Sequence, residues 1–322
     1  MNMFFRSKHA AGRYTTMEEK VAFSLHVAIS SINKCWREQQ ASHVVICLDG
    51  RSWRKTFYAP YKKNREVARA ALTEEEQEED KLFFAAYAEL VDFFVQKTNC
   101  TVLTHPELEA DDLIAGWIQS HSEDNHTIIS SDSDYYQLIT ETVNQYNGIA
   151  DELITLTGIY NGKGKQVIDK KTKEPKTIGD PKFILFEKCM RGDSSDNVFS
   201  AYPRVGIKST KNKVGLLEAF SDRDKKGWAW NNMMLQTWLD HDKKEHKVID
   251  DYNRNVTLID LTAQPEDIRV KINETISNTE PKTNLMAGVQ FLKFCGKHDL
   301  VKLSEPAQLN AIATWLQATY KK

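Results

Sequence analysis

Short β-branched apolar runs alternate with stretches of helical periodicity through the first two-thirds of the chain, and that alternation constrains the fold more than any other feature. HVVICLD (43–49), CTVLT (100–104) and HTIIS (126–130) read as buried strands. Between them, residues 17–40 place Val21, Leu25, Ala28, Ile29 and Ile32 on one helical face. Residues 78–97 are rich in Phe and Leu, and 107–121 follows Pro106 with acids in its first turn. Strands separated by helices predict an α/β fold with a mainly parallel sheet flanked by helices. VNQYNG and ELITLT predict an antiparallel hairpin at its edge, and the lysine-rich, Gly/Pro-punctuated stretch 161–180 a loop or short ribbon. Helical patterns follow at 181–191, 209–220, 228–241, 283–297 and 305–320, so the expected division is 1–180 and a helical C-terminal region, 181–322.

Composition narrows the class. At 322 residues, 41% apolar, the chain can bury a real core. No apolar stretch approaches the ~20 residues of a membrane helix, and the start MNMFFRSKHAAGRY lacks the apolar core of a secretory signal. Cys35, Cys47, Cys100, Cys189 and Cys295 are odd in number and form no C-x-x-C pair, which predicts buried free thiols in a reducing cytoplasm. The net charge of −2 argues against a histone-like binder but hides segregation. Residues 51–69 hold seven basic side chains and one acid, 204–213 four basic and none acidic, whereas 73–80 (TEEEQEED) is acidic.

The acids that matter stand at element ends. Asp49 closes the strand VVICLD; Asp132 and Asp134 follow HTIIS; Glu109, Asp111 and Asp112 open a helix; Asp193 and Asp196 lie in RGDSSDN just after another. Each has a structural reading: an Asp-Gly turn, a helix cap, complementation of a helix dipole, an Asx turn. Those readings do not explain why all four recur at such ends with no lysine inside any cluster. Ligands of parallel α/β sheets bind at the carboxyl ends of strands, and an all-oxygen set without His or Cys suits Mg²⁺ or Mn²⁺. Two such ions can activate water and stabilise the leaving oxygen of a phosphodiester. The nine histidines offer no competing site; His241 and His246 are expected at the surface.

Two basic stretches complement the acids. In RSWRKTFYAPYKKNRE (51–66), Trp53, Tyr58 and Tyr61 interleave with Arg54, Lys55, Lys62, Lys63 and Arg65, a pattern that suits stacking on unpaired bases, or else aromatics tucked into the core. RVGIKSTKNKVGLLEAF (204–220) turns through Gly206 into a helix expected to begin at Lys208, Ser209 and Thr210. That start would bind a duplex phosphate, or simply be capped by Ser209.

CLDG, YKKNRE, ELEADDLIA, ISSDSDYYQL and RGDSSDNVFSAYPRVGIKST occur in the order found in the 5′-nuclease (flap endonuclease) family, in particular its bacteriophage ribonuclease H and 5′-3′ exonuclease type, which the chain resembles over roughly residues 2–220. The resemblance implies a PIN or resolvase-like nuclease domain and two metal-ion sites held by Asp49, Glu109, Asp111, Asp112, Asp132, Asp134, Asp193 and Asp196. It implies that Lys62 and Arg65 orient the scissile phosphate, with an arch at about 61–97 passing a single-stranded 5′ end. It further implies a helix–turn–helix duplex-binding element, often with K⁺, at the glycine–lysine turn. Nucleic-acid contacts are expected from Arg6, Lys8, Arg54, Tyr61, Lys63, Arg204, Gly206, Lys208, Ser209 and Lys211. The implied enzyme is a Mg²⁺-dependent monomer that cuts 5′ flaps, nicks and RNA primers on DNA during phage replication, with a single-strand-binding protein or clamp as partner. A PIN-type ribonuclease and a non-catalytic junction binder are the rival readings. The family's usual IPGVPGIGPKTA is replaced by VFSAYPRVGIKST, with fewer glycines and more bulk. Asn2, Phe5, Arg6, Lys8 and His9 match a phage segment that follows a central strand ending Asp-Gly, so a strand and a metal ligand are expected before Met1, their absence being a truncation.

Overall fold

The computed structural model describes residues 4, 6, 7, 14 and 16–320, and most of the sequence-derived N-terminal expectation lies outside them. The chain divides into two compact units, residues 1–51, 72–178 and 271–322, and residues 52–71 and 179–270. A single break at 180 describes only part of this division, because the C-terminal helices complete the first unit's core. Phe291 and Phe294 of helix Ala287–Lys297, with Ile312, Trp315 and Leu316 of helix Pro306–Gln317, pack with Leu25, Ile29, Phe83, Leu90, Phe93 and Phe94. Each fully buried large apolar side chain contributes about 1.5–3 kcal/mol, enough to hold the chain end on that core. Asn99 reinforces the attachment: its N–H donates to the Leu316 carbonyl at 2.7 Å and its Nδ2 to that of Gln317 at 2.8 Å.

The two long helices of this unit begin at capping boxes. Thr16 and Glu19 cap helix Met17–Glu38, and Thr73 and Glu76 cap helix Glu74–Lys97. The second box lies inside the run TEEEQEED, so part of its acidity serves to start a helix, four residues earlier than the hydrophobic pattern indicated.

Strand β1 (Val45–Cys47) pairs in parallel with β2 (Thr101–Leu103). In a separate sheet of order β3-β4-β5-β6, β3 (His126–Ile129) pairs in parallel with β4 (Val143–Asn147), while β5 (Glu152–Thr155) and β6 (Gly158–Asn161) add antiparallel. The expected mainly parallel sheet is thus a mixed one. The connections at 148–151 and 156–157 are far shorter than the dozen or so residues a parallel crossover needs. The expected hairpin is β4–β5, and 161–180 is a short ribbon with bridges Tyr160–Gln166 and Ile168–Pro175.

The second unit gathers Phe186 and Met190 of helix Pro181–Arg191 with Ala201, Leu216, Ala219, Met233, Met234 and Val248. The helix expected over 228–241 stops at Met234, and Thr237–Leu239 pairs antiparallel with Glu245–Lys247. Asp240 ends the first of these strands by accepting from the backbone N–H groups of Asp242 and Lys244, a side-chain turn that competes with helix. All five cysteines are free and buried.

Candidate active site

In the first unit the acids are placed by backbone hydrogen bonds. Leu48 N–H donates to Leu103 at 3.0 Å, extending the β1–β2 pairing to the residue before Asp49. Gly50 then turns the chain against the segment before helix Ala110–Ser120; its N–H donates to Leu108 at 2.7 Å, and a Cβ there would lie 2.1 Å from the His105 carbonyl oxygen. This turn presents Asp49 to the helix start, where Oδ1 accepts from Ala110 N–H at 2.9 Å. Asp112, fully buried, accepts from Glu109 N–H at 3.1 Å, and Glu109 itself is 6% exposed.

Asp132 likewise caps the short 3₁₀ helix Ser133–Leu138, accepting from Asp134 N–H at 3.2 Å. The structural roles weighed for these acids are therefore real, and they orient the carboxylates. Two residues that the sequence did not single out add to this. Tyr135 donates its hydroxyl to Asp111; burial, then the Asp111 charge, pushes its phenol well above the usual range, so it remains a donor. Buried Gln145 donates to the carbonyls of Ser130 and Asp132 at 2.9 and 2.7 Å, fixing the turn that carries Asp132 and Asp134. The repeated Tyr of SDYY was the only sequence signal for the first; Gln145 gave none. Arg6 lies 3.5 Å from Asp132, whereas Lys8 is outside the described residues.

These carboxylates, of which Glu109 and Asp112 are buried, offer oxygen donors only. The donor set therefore fits a hard divalent cation. Cys47 nearby does not compete, because burial pushes its thiol up to about 12.

In the second unit, the YKKNR and GDSSDN motifs are clasped together. Asp196 accepts from Tyr61 at 3.0 Å and from Arg65 at 2.5 Å, and lies 3.6 Å from the Lys62 ammonium. Asn64 donates to the carbonyl of Ser194 at 3.2 Å, and Asn197 to that of Pro60 at 2.7 Å. Lys62 is held at φ 54°, a left-handed conformation that a non-glycine residue adopts at a cost. Asp193 pairs with Lys188 at 2.8 Å and accepts from Ser195 N–H, forming the Asx turn. Burial opposes its charge, but Lys188 and Ser195 outweigh that and hold its carboxyl below the usual range.

Several nucleic-acid contacts need correction. Arg54 is 1% exposed, donates Nε–H to Leu258 at 2.8 Å and stacks on Trp53, so packing rather than a base takes its guanidinium. Tyr61 and Trp53, 4% and 9% exposed, are core residues for the same reason. Lys63 is exposed. Arg204, Gly206, Lys208, Ser209 and Lys211 are all exposed, but the helix begins at Leu216. Ser209 instead accepts from Gly215 N–H at 2.9 Å, within the preceding turn. Asp240, His241 and Asp242 bring ligand atoms within 4.8 Å of one another on an exposed turn. His246 is half-buried on Trp238 between Asp240 and Asp251, not on the open surface as expected.

Residues 1–171 match the family described as 5′-3′ exonuclease, N-terminal resolvase-like domain. The flap endonuclease of Escherichia phage T5 is 26% identical over 200 residues, 61% of each chain. A 5′-3′ exonuclease of Buchnera aphidicola subsp. Schizaphis graminum is 24% identical over 225 residues, covering 68% of this chain and 67% of that protein. The alignment with the T5 protein thus spans about three-fifths of that relative's length. Among solved structures, the zinc-bound T5 5′-exonuclease superposes with TM-score 0.55 at 21% identity, over 94% of this chain and 97% of that one. A T5 protein co-crystallized with metal ions gives TM-score 0.51 at 20% identity with the same coverage. The chain belongs to the 5′-3′ exonuclease family, and its first half is the family's N-terminal resolvase-like domain.

Proposed function

We propose that this protein is a divalent-metal-dependent 5′-nuclease that cleaves phosphodiesters at flaps and nicks. The observation carrying this reading is the set of carboxylates at strand and helix ends of the first unit, with Asp49, Asp111, Asp112 and Asp132 oriented by hydrogen bonds and Glu109 and Asp134 adjoining them in sequence. Support comes also from the relatives: a flap endonuclease, 5′-3′ exonucleases, and a T5 flap endonuclease pseudo-enzyme-product complex with DNA and metal ions. Mg²⁺ is the expected ion and Mn²⁺ its substitute, on donor chemistry alone. When bound, such ions supply an activated water and offset charge on the leaving oxygen.

The chain's own residues orient and bind. Tyr135 fixes Asp111 by donating to it, and Gln145 fixes the Asp132 turn. Lys62 and Arg65 are positive groups for the phosphate's non-bridging oxygens, and Asp196 holds both until substrate takes them. For Asp193 and Asp196 to serve as metal ligands they must first give up Lys188, Lys62 and Arg65. Exposed Arg204, Gly206, Lys208, Ser209 and Lys211 form a duplex-binding turn in this reading, one a K⁺ ion could bridge. The arch expected at about 61–97 for a single-stranded 5′ end would include the solvent-exposed helix Lys63–Ala70 in this reading. RNA-primer removal in phage replication, action as a monomer in the host cytoplasm, and a single-strand-binding or clamp partner complete the proposal.

The capping roles of the acids favour one rival, a junction binder without catalysis. Incubating the protein with a 5′-labelled flap duplex and Mg²⁺ decides between them: metal-dependent release of the flap supports the nuclease, and tight binding without cleavage under any divalent ion supports the rival.

A further inference from the structure

The register of the mixed sheet puts Ile129, Tyr146, Leu153 and Tyr160 in one row across β3, β4, β5 and β6. β6 therefore runs in the same direction as β3, and the turn after Asn161 leaves the same end of the sheet, the carboxyl end of those two strands, as the Asp132–Asp134 turn. Three strand spacings separate the two turns, roughly 14 Å.

That turn, NGKGK, is rigidly built. The Asn161 side-chain oxygen accepts from the N–H groups of Lys163 and Lys165 at 3.0 and 3.1 Å, and its carbonyl from Gly164 at 2.8 Å. Gly164 adopts φ 70°, which favours glycine, and a Cβ on Gly162 would lie 1.8 Å from the Asp151 carboxylate, which would have to shift. Asp151 is already engaged by Lys34 and Tyr146. Lys163 and Lys165 are exposed, and among the described residues neither ammonium is in an ion pair. The rest of the ribbon adds Lys170, Lys171, Lys173 and Lys176 against Asp169 and Glu174. Its tip, however, lies at the opposite end of the strands, because residues 165–167 run back antiparallel to β6.

Resting on the nuclease reading, we infer that the Asn161–Lys165 turn is a phosphate-binding element for duplex nucleic acid, contacting the backbone a few base pairs from the scissile bond through Lys163 and Lys165. At ~3.4 Å of duplex rise per base pair, 14 Å corresponds to about four pairs. The contact reads charge and position and not sequence, since two lysines on a fixed turn carry no base-edge readout.

The test is equilibrium binding of a labelled flap duplex in EDTA, followed by fluorescence anisotropy across a KCl series. Lys163→Gln with Lys165→Gln should weaken binding by one to two orders of magnitude near 0.1 M KCl and reduce the slope of log K against log salt by about 1.8, two phosphates' worth. The double arginine variant should bind as wild type. Lys170→Gln, Lys171→Gln and Lys173→Asn together, at the far tip, should change binding less than about twofold. An unchanged slope in the first variant, or an equal loss in the tip variant, would overturn the assignment while leaving the nuclease reading intact. Wild-type protein that binds no flap or nicked duplex would overturn the nuclease reading itself.

Discussion

Replacing Asp49 with Asn and with Ala separates its capping role from its charge. Asn keeps an oxygen to accept from Ala110 N–H, now 2.9 Å from Oδ1, and loses the charge; Ala loses both. Asp49 and Asp112 accept from adjacent amides at 2.9 and 3.1 Å, and adjacent backbone nitrogens are at most ~3.7 Å apart, so the carboxylates lie within about 10 Å. At that largest separation their repulsion at an effective dielectric near 20 is about 1.7 kcal/mol, a lower bound before the exposure of Asp49 screens it toward about 1. Losing the helix-terminus attraction costs a comparable ~0.3–1 kcal/mol, so the Asn variant without metal should melt close to wild type. The Ala variant should be about 1 kcal/mol less stable than Asn, roughly 2–4 °C in Tm for a unit of this size. Mg²⁺ should then stabilise the wild type, by up to about 2.7 kcal/mol at a hundredfold excess over Kd, and so raise its Tm, with a much smaller rise in either variant. Differential scanning fluorimetry in EDTA and in Mg²⁺, with single-turnover cleavage alongside, measures all of this. An Asn variant with the full Mg²⁺ shift and full turnover would refute the reasoning: Asp49 would be a helix cap and nothing more.

Arg54→Ala should destabilise the protein by about 2–4 kcal/mol in urea unfolding, through lost packing and an unsatisfied Leu258 carbonyl, with the salt slope of duplex binding unchanged. Lys62→Ala should lower the single-turnover cleavage rate at saturating protein, whereas Lys208→Ala should mainly weaken duplex binding, with a salt slope shallower by about 0.9. The buried thiols give a pH signature. Burial pushes Cys100 up to about 11 and Cys47 to about 12, so their contribution is complete below the unfolded thiol value of ~8.5. Stability should fall as pH rises from there toward those folded values, because only the unfolded chain ionises; urea midpoints from pH 7 to 10.5 check the sign.

The strands and long helices were legible because their side chains repeat with the period of the element. What failed was competition between local side-chain chemistry and that period. The capping box at Thr73 and Glu76 looked like plain acidity, and the Asp240 turn broke a helix whose apolar spacing continued beyond it. The β4–β5 hairpin was legible, whereas β6, which adds antiparallel through the two-residue turn 156–157, was not. Of the candidate site residues, the placement of Asp49, Asp111 and Asp132 at element ends could be read from the sequence, but the contacts of Tyr135 and Gln145 could not, since they are made across the fold. The aromatic and basic run 51–66 shows the limit of composition: Trp53, Arg54 and Tyr61 belong to the core, while Lys63 is left exposed.

The most direct test of the account is single-turnover cleavage of a 5′-labelled flap duplex by wild type and Asp132→Asn over a Mg²⁺ series, with duplex binding measured in EDTA. Asn keeps the cap of the 3₁₀ helix, so binding and fold should be retained. Turnover should require the divalent ion and should fall by orders of magnitude in the variant at saturating Mg²⁺. Cleavage without any divalent ion, or an Asp132→Asn protein that turns over like wild type, would contradict a metal-dependent nuclease built on these carboxylates.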